Sequence, residues 1–336
     1  MHKLFYKNKT PYLAVPTNLS IVNLFKVLNF IPSFTLIRKL HKIYVFFTVI
    51  LSRCLGVNFK KKNQPNFFLE LSNIINENSR LSNYQYLIVW SLVDNRQRCY
   101  VYFYDKTLTL VYFAKFTKKT ADFALIKNEY NCLLNFKAKE ENIIFNCPTA
   151  VHLDENKDYY FLVVEALASN FKLFHPEYNE MPEKIFKYLN HNIIRKDLSY
   201  CFDQNWWKSF FKKKRNTFQL YKYIVSQESE SKVQLSFIHG DLGSENTLIN
   251  ENKEFFIIDW ERSSQVGPYY TDRVAFWLGK NHRKIKDNQD ILQNFHDFFH
   301  DVNQLELYLA LAYLVQVDFD LAILISNNFF YNENTL

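Results

Sequence analysis

The chain has 336 residues, 48% of them hydrophobic, which is enough to bury the core of one large or two smaller domains. Its five cysteines are scattered and its nine histidines lack the spacing of metal ligands, so we expect neither a disulfide framework nor a structural zinc site. The net charge of +7 is uneven, because the first 69 residues hold 11 basic and no acidic side chains while the remainder carries about −4. A slightly acidic main body argues against a nucleic-acid-binding protein.

The leading segment, residues 1–70, contains two apolar stretches with helical character. The first covers 21–30 and ends before Pro32, and the second covers 34–55. The apolar run within the second stretch, residues 44–51, is well short of the roughly 18–20 residues that a membrane-spanning helix needs. A basic segment of this kind is typical of an interfacial anchor on an anionic membrane, here through residues 1–62, and also of a helical extension that packs on the main domain. Both interpretations remain open, and a signal or transit peptide is less favoured.

Residues 71–166 have the pattern of a small, mainly β region. Runs of β-branched and aromatic residues bounded by polar turns predict strands, and a longer segment with apolar residues at helical spacing predicts a helix. The predicted order is three strands, one helix and two strands. These elements cover 84–93, 99–104, 108–116, 121–137, 143–153 and 159–165.

Residues 167–336 are mainly helical by the same criteria. The predicted helices cover 182–191, 206–225, 290–302 and 305–325, and two short strands at 246–250 and 255–258 lie between them. A β region followed by a larger helical region predicts an α+β protein with two lobes, preceded by the basic helical extension.

The most informative stretch begins at His239 and reads H-G-D-L-G-S-E-N, and it is followed by I-D-W-E from Ile258. Phosphoryl transfer needs a carboxylate that accepts the proton of the attacking hydroxyl, and oxygen ligands for Mg²⁺. Asp241 and Asn246 have the D-x-x-x-x-N spacing of a kinase catalytic loop. Asp259 ends an apolar strand, and the short hairpin from Asn246 can bring both side chains to one ion.

This stretch resembles the signature of the aminoglycoside phosphotransferase and choline kinase family, H-G-D-x-x-x-x-N followed by I-D-[WFY]-E. The resemblance covers about residues 84–336 and is strongest over 236–275. It implies a bilobal, protein-kinase-like fold with a small antiparallel sheet in the first lobe. It also implies that Asp241 is the catalytic base and that Asn246 and Asp259 bind Mg²⁺.

The resemblance further implies two structural residues and shows two departures from the family. His239 is expected to buttress the loop, and Asp272 is expected to hydrogen-bond it. Where the family often has glycine before the asparagine, this chain has Glu245. The turn between the first two predicted strands, 93–98, contains no glycine with which to approach the phosphates of a nucleotide.

The same family pattern assigns nucleotide-binding residues upstream. The strand Val-Tyr-Phe-Ala-Lys ending at Lys115 resembles V-A-I-K, so Lys115 is expected to hold the phosphates and Glu129 to pair with it. Lys115 is preferred to the other nearby lysines because apolar neighbours on both sides imply burial. The adenine is expected at the linker after the fifth strand, against backbone groups of Glu165 and Leu167.

These observations predict an ATP-dependent, Mg²⁺-requiring small-molecule kinase that phosphorylates a hydroxyl group. We expect it in the cytoplasm, with the inner face of the cytoplasmic membrane as a second location if the leading segment binds lipid. A sugar or glycan intermediate of bacterial surface polysaccharide synthesis is the favoured acceptor. An aminoglycoside or choline-type kinase, a catalytically degenerate nucleotide-binding scaffold and a non-enzymatic binding protein are the alternatives. The predicted site residues occur together, which favours an active enzyme.

The acceptor pocket is expected in the helical lobe, from 168–230 and 285–336, where no motif is recognisable. Three acidic residues could meet an amino group of a substrate, although acids on a helix usually face water. They are Glu306, Asp318 and Asp320.

Overall fold

The chain forms two compact units in the computed structural model. The first comprises Met1–Ile126 and Thr149–Ala168, and the second comprises Lys127–Pro148 and Ser169–Leu336. The structure describes residues 2–7, 10–16, 18–30, 36–54, 66–90, 98–137, 144–167, 172–173, 183–213, 217–243, 245–281, 291–317, 322–323 and 325–326.

The first unit is built on a seven-stranded antiparallel sheet with the strand order β1-β2-β3-β4-β5-β7-β6. The strands are β1 (His2–Lys7), β2 (Thr10–Pro16), β3 (Gln85–Trp90), β4 (Arg98–Tyr104), β5 (Leu110–Thr117), β6 (Ala150–Glu155) and β7 (Tyr160–Glu165). The last five are the strands predicted from the sequence. The hairpin of β1 and β2 was not predicted, and it joins the sheet where Leu13 pairs with Val89 and Ala14 pairs with Ile88.

Helices of the leading segment cover both faces of this sheet. They are α1 (Ile21–Leu28), α2 (Leu36–Cys54) and α3 (Asn66–Glu77). Leu24 of α1 and Val45 of α2 pack on one face with Tyr102, whereas Leu71 of α3 packs on the other face with Val101. The segment is therefore part of the first unit. Among the helices that the structure describes, none has the length and apolarity needed to cross a membrane.

The second unit combines two small sheets with helices. Helix α4 (Thr120–Lys137) begins in the first unit and continues into the second. The strands are β8 (Lys172–Leu173), β9 (Ile194–Asp197), β10 (Lys232–Ile238), β11 (Thr247–Ile249), β12 (Phe255–Ile257) and β13 (Ser264–Pro268), in the orders β13-β10-β9 and β12-β11-β8. The further helices are α5 (Glu183–Leu189), α6 (Leu198–Asp203), α7 (Asn205–Lys213), α8 (Phe218–Val225), α9 (Thr271–Lys280), α10 (Ile291–Phe298) and α11 (Gln304–Gln316).

Helix α11 is the centre of the second unit. Every residue from Leu305 to Val315 is buried, and this helix packs against α7, α8 and α9. A helix that is apolar on all sides is stable only inside a core. The α+β fold class predicted from the sequence, with a small antiparallel sheet before a larger helical part, is confirmed. The single helix predicted over 206–225 was wrong, because α7 ends at Lys213 and α8 begins at Phe218.

Candidate active site

Strand β10 leads directly into the H-G-D motif, and a buried carboxylate from α9 fixes the backbone there. The N–H groups of His239 and Gly240 donate to the two oxygens of Asp272, at 2.8 and 2.9 Å. Burial raises the pKa of Asp272 to about 6, although both hydrogen bonds act in the opposite direction. The loop that carries Asp241 is therefore held by the contact that the family resemblance implies for Asp272.

Gly240 is the glycine whose conformation this loop requires. Its φ is +81°, and a Cβ atom added there would lie 2.2 Å from the carbonyl oxygen of Arg262. Gly243 and Gly267, which also lie in this region, do not have a positive φ. A Cβ on Gly243 would meet nothing within 4 Å, and a Cβ on Gly267 would collide with the side chain of Ile238 at 2.2 Å. The close packing of Ile238 against Gly267 therefore leaves no room for a side chain at this position.

His239 connects the loop to the strand that precedes Asp259. Its Nε2 lies 3.0 Å from the carbonyl oxygen of Ile258, and its Nδ1 accepts the N–H of Asp241 at 3.3 Å. These two partners are satisfied together by a neutral ring with its proton on Nε2. The ring is buried and packs on Trp260, with the ring centroids 4.4 Å apart. These contacts join the loop to Ile258 and Trp260, and the structural role of His239 stays a prediction.

The β11–β12 hairpin holds Asn246 and Asp259 at the same end. Thr247 pairs with Ile257 across the hairpin, and the N–H of Ile258 donates to the carbonyl of Asn246 at 3.0 Å. The side-chain amide of Asn246 donates to the carbonyl of Asp241 at 2.8 Å, which leaves its Oδ1 oriented away from this bond as a candidate ligand atom. The hairpin therefore brings the predicted ligand positions next to the predicted base.

Asp259 adopts a left-handed backbone conformation, with φ +67° and ψ +57°. A residue other than glycine pays about 1–2 kcal/mol for this conformation. Such strain occurs most often at functional sites, where neighbouring structure enforces it. The short 3₁₀-helix Trp260–Arg262 follows immediately and is held in place by its buried tryptophan. Glu245, the residue before Asn246, is exposed at the turn.

The electrostatic environment of Asp241 suits a general base. Burial raises the pKa of its carboxyl group to about 7, and the negative charges of Asp259, Asp272 and Glu261 add to this effect. The guanidinium of Arg262 acts in the opposite direction. A base with a pKa close to the working pH is the most effective at taking up a proton in the transition state.

A cluster of carboxylates lies beside this loop. Glu129 of α4, Asp259 and Glu261 each place one oxygen within 4.8 Å of the others, and both glutamates are buried. Carboxylates at this separation can bind one cation together. Carboxylate and amide oxygens are the ligands that Mg²⁺ prefers, so these residues and Asn246 fit that ion.

Two residues of this region were missed by the sequence analysis. Glu261 is the last residue of the I-D-W-E motif, and that position was the available signal. Asn128 gave no signal. Its side-chain amide donates to the carbonyl oxygens of Glu261 and Ser263 at 3.0 and 2.7 Å, and it fastens α4 to the segment that follows Asp259.

The predicted nucleotide-binding residues of the first unit lie on two neighbouring strands. Lys115 is buried on β5, as expected, and pairs with Leu162 of β7. The N–H of Glu165 already donates to Thr149 at 2.9 Å, so its carbonyl is the backbone group that remains for a ligand. Leu167 is half-buried after this strand. Because Glu129 belongs to the second unit, its pairing with Lys115 stays a prediction.

Of the three acidic residues considered for the acceptor, Glu306 has another role. It is buried and accepts the backbone N–H and the side-chain amide of Gln234 at 3.0 and 3.3 Å. The expectation that it faces water was wrong. Asp318 and Asp320 lie outside the described residues, as does most of the glycine-free turn at 93–98.

The solved structures to which this chain is similar are small-molecule kinases with a protein-kinase-like fold. One is a thermostable mutant of aminoglycoside phosphotransferase APH(4)-Ia in ternary complex with AMP-PNP and hygromycin B, with 12% identity, a TM-score of 0.47 and coverage of 77% of this chain and 96% of that chain. Another is choline kinase LicA from Streptococcus pneumoniae, with 15% identity, a TM-score of 0.42 and coverage of 76% and 90%. A third is the gentamicin complex of APH(2")-IIa, with 14% identity, a TM-score of 0.39 and coverage of 76% and 97%.

Comparison by sequence found no matching protein-family model and no matching curated protein. The TM-scores of all three structures lie below 0.5. The function is therefore inferred from the geometry of the site itself.

Proposed function

We propose that this protein is a phosphotransferase that moves the terminal phosphoryl group of ATP to a hydroxyl of a small molecule. The observation that carries the proposal is the convergence of Asp241, Asn246 and Asp259 at one end of the β11–β12 hairpin, joined by hydrogen bonds through Asn246 and Ile258. Phosphoryl transfer demands chiefly positioning and electrostatic stabilisation, and this loop is positioned by buried contacts on both sides.

In this proposal Asp241 orients the acceptor hydroxyl and takes up its proton as the new P–O bond forms. Its raised pKa supports the assignment, because a carboxylate with a pKa of about 7 is a stronger base than an exposed aspartate. Arg262 lies close enough to lower that pKa, so it keeps a fraction of Asp241 ionised near neutral pH. Asp272 and His239 position the loop and do not touch the reacting atoms.

The residues proposed to hold Mg²⁺ are Asn246 and Asp259, with Glu129 and Glu261 beside them. A divalent cation bound there supplies positive charge to the phosphate oxygens of the nucleotide. Asp259 contributes its carboxylate from a strained backbone. Asn128 holds Glu261 in place, because its side-chain amide donates to the backbone carbonyl of Glu261.

The nucleotide contacts proposed for the first unit are the ammonium group of Lys115 for the phosphates and the backbone of Glu165 and Leu167 for adenine. The position of Lys115 near the end of β5 supports the first assignment, because it matches the place of the phosphate-binding lysine in the V-A-I-K pattern. The carbonyl of Glu165 is the group best suited to the second, because the N–H of that residue is already bonded.

The acceptor that we propose is a sugar or a glycan intermediate of surface polysaccharide synthesis. An aminoglycoside or an amino alcohol is the second candidate, and hygromycin B and gentamicin occur in complexes of two of the similar structures. A nucleotide-binding scaffold without turnover is the non-enzymatic alternative.

We propose separately that residues 1–62 associate with an anionic membrane, at the inner face of the cytoplasmic membrane. This association takes no part in the proposed reaction.

The test is a screen for ATP consumption with Mg²⁺ over sugars, amino alcohols and aminoglycosides. Asp241→Asn should lower turnover by about 100- to 10,000-fold, the usual contribution of a general base. Asp301→Asn is the matched control, because Asp301 is an exposed aspartate of the same unit. Equal turnover by wild type and Asp241→Asn on every acceptor would rule out the assigned base. ATP binding without turnover on any acceptor would favour the scaffold.

A further inference from the structure

Helix α2 has two apolar faces, and among the described residues only one of them is buried in the first unit. Val45 and Val49 are buried in the core of the first unit. On the opposite side of the helix, five large side chains are between 49% and 61% exposed. They are Leu40, Ile43, Tyr44, Phe47 and Leu51. Their spacing of three or four residues places them in one stripe along about three turns of the helix.

Helix α1 continues this stripe. Leu24 and Val27 are buried, whereas Ile21, Val22 and Phe25 are at least half exposed. The ring of Phe25 meets that of Phe46 on α2 at a centroid distance of 5.8 Å, so the two exposed sets adjoin. We call the eight exposed residues the α1–α2 apolar surface.

The α1–α2 apolar surface is unusual within this protein. Its members make up half of the sixteen large apolar side chains that are exposed among the described residues. Single exposed apolar residues are normal in proteins, whereas a contiguous patch marks an interaction site.

The net charge of the segment that carries this surface selects the kind of partner. Helix α2 contains Arg38, Lys39, Lys42 and Arg53 and no acidic residue, and all 69 residues before Glu70 lack acids. A second copy of the chain would bring two such basic segments together, and they would repel each other. An anionic bilayer attracts them and accepts apolar side chains at the depth of its headgroups.

We propose that the α1–α2 apolar surface docks on an anionic lipid bilayer, with α2 lying along the plane of the interface. Leu40, Phe47 and Leu51 enter the boundary between headgroups and acyl chains. Tyr44 presents an apolar ring and a polar hydroxyl, which suits the same depth. This surface belongs to the first unit and Asp241 to the second, and the proposal does not depend on the proposed enzymatic function.

The test is sedimentation of the full chain with vesicles of phosphatidylcholine alone or with added phosphatidylglycerol. We expect binding to the anionic vesicles only, and weaker binding as salt is raised. The double variant Tyr44→Gln/Phe47→Gln should bind them about tenfold more weakly, because two apolar contacts are lost.

The matched control is Phe218→Gln. Phe218 is 54% exposed on α8 and Phe47 is 56% exposed on α2, so the two changes remove equally accessible rings from different units. The control variant should sediment like wild type. Melting temperatures of all the proteins, measured without vesicles, verify that they are folded.

The proposal is overturned if folded wild type stays in the supernatant with anionic vesicles, or if the double variant and the control bind equally. A dimer that Phe47→Gln dissociates, without any vesicle binding, would instead identify a second copy as the occupant.

Discussion

Asp272 and His239 are 33 residues apart in the chain, and a hydrogen bond of 2.8 Å joins the carboxylate of the first to the backbone N–H of the second. The other carboxylate oxygen accepts the N–H of Gly240 at 2.9 Å. The conformation of the loop before Asp241 is thus imposed by a side chain from α9, and the loop does not have to encode it locally. Substitution of Asp272 should therefore disturb the loop that carries Asp241, because the carboxylate of Asp272 fixes the backbone of that loop.

Replacement of Asp272 should destabilise the protein in a graded way. Asp272→Ala leaves two buried N–H groups without an acceptor, so we expect a loss of about 2–5 kcal/mol in the free energy of unfolding. Asp272→Asn keeps one acceptor oxygen and should cost less, about 1–3 kcal/mol. Urea unfolding at pH 7 measures both. An alanine variant as stable as wild type would contradict this account of the loop.

The rate should depend on pH through Asp241. Its pKa is raised to about 7, and the group must be ionised to accept a proton. We therefore expect kcat/KM to fall as the pH is lowered through about 7, and to approach one decade per pH unit on the acid side. Arg262→Gln removes the charge that lowers this pKa, so the acid limb should move to higher pH. A profile that is flat from pH 6 to 8 would argue against a base of this pKa.

Gly240 and Gly243 offer a matched test of backbone strain within one loop. Gly240→Ala should destabilise by about 2–4 kcal/mol, because its φ is +81° and the new Cβ would collide with a carbonyl oxygen. Gly243→Ala meets nothing within 4 Å and should change stability by less than about 0.5 kcal/mol. Thermal unfolding distinguishes the two. Equal effects of both changes would show that the contact with Arg262 does not govern this turn.

The carboxylate cluster makes a prediction about Mg²⁺. Glu261→Gln removes one candidate carboxylate ligand from a group of three. Its affinity for Mg²⁺ should fall about tenfold or more. The measurement is the rise in melting temperature with increasing MgCl₂. Glu254→Gln, at an exposed glutamate of the β11–β12 turn, serves as the control. The same response to Mg²⁺ in Glu261→Gln and wild type would remove Glu261 from the site.

The choice of Lys115 over its neighbours can be tested against Lys118. Lys118 forms an ion pair with Glu70 at 2.7 Å, so its ammonium group already has a negatively charged partner within the protein. Lys115→Gln should raise the Kd for ATP by about 10- to 100-fold, because one charge-assisted contact with the phosphates is lost. Lys118→Gln should leave that Kd unchanged. Calorimetric titration with ATP and Mg²⁺ compares them, and the reverse ranking would transfer the phosphate-binding role to Lys118.

The sequence predicted those elements whose signal is local. Strands β3 to β7 followed from runs of β-branched and aromatic residues, and the D-x-x-x-x-N spacing predicts a site at Asp241 and Asn246. Strand β10 was missed, although Val233 and Leu235 alternate with polar residues in the usual strand pattern. That strand leads into the loop that carries Asp241.

The remainder depends on contacts between distant parts of the chain. Asn128 meets the carbonyl of Glu261 across 133 positions, and no periodicity in either segment records that approach. The burial of Glu306 likewise depends on Gln234, which is 72 positions away. The left-handed backbone of Asp259 is a further example, because a residue other than glycine gives no hint of it in the sequence.

The hairpin of residues 2–16 also bears on how the protein should be produced. Strand β2 occupies the hydrogen-bonding side of β3 at Ile88 and Val89. A truncated protein without this hairpin would leave that strand edge bare, and bare edges of apolar strands recruit other chains and aggregate. Shortened versions of the protein should therefore retain β1 and β2.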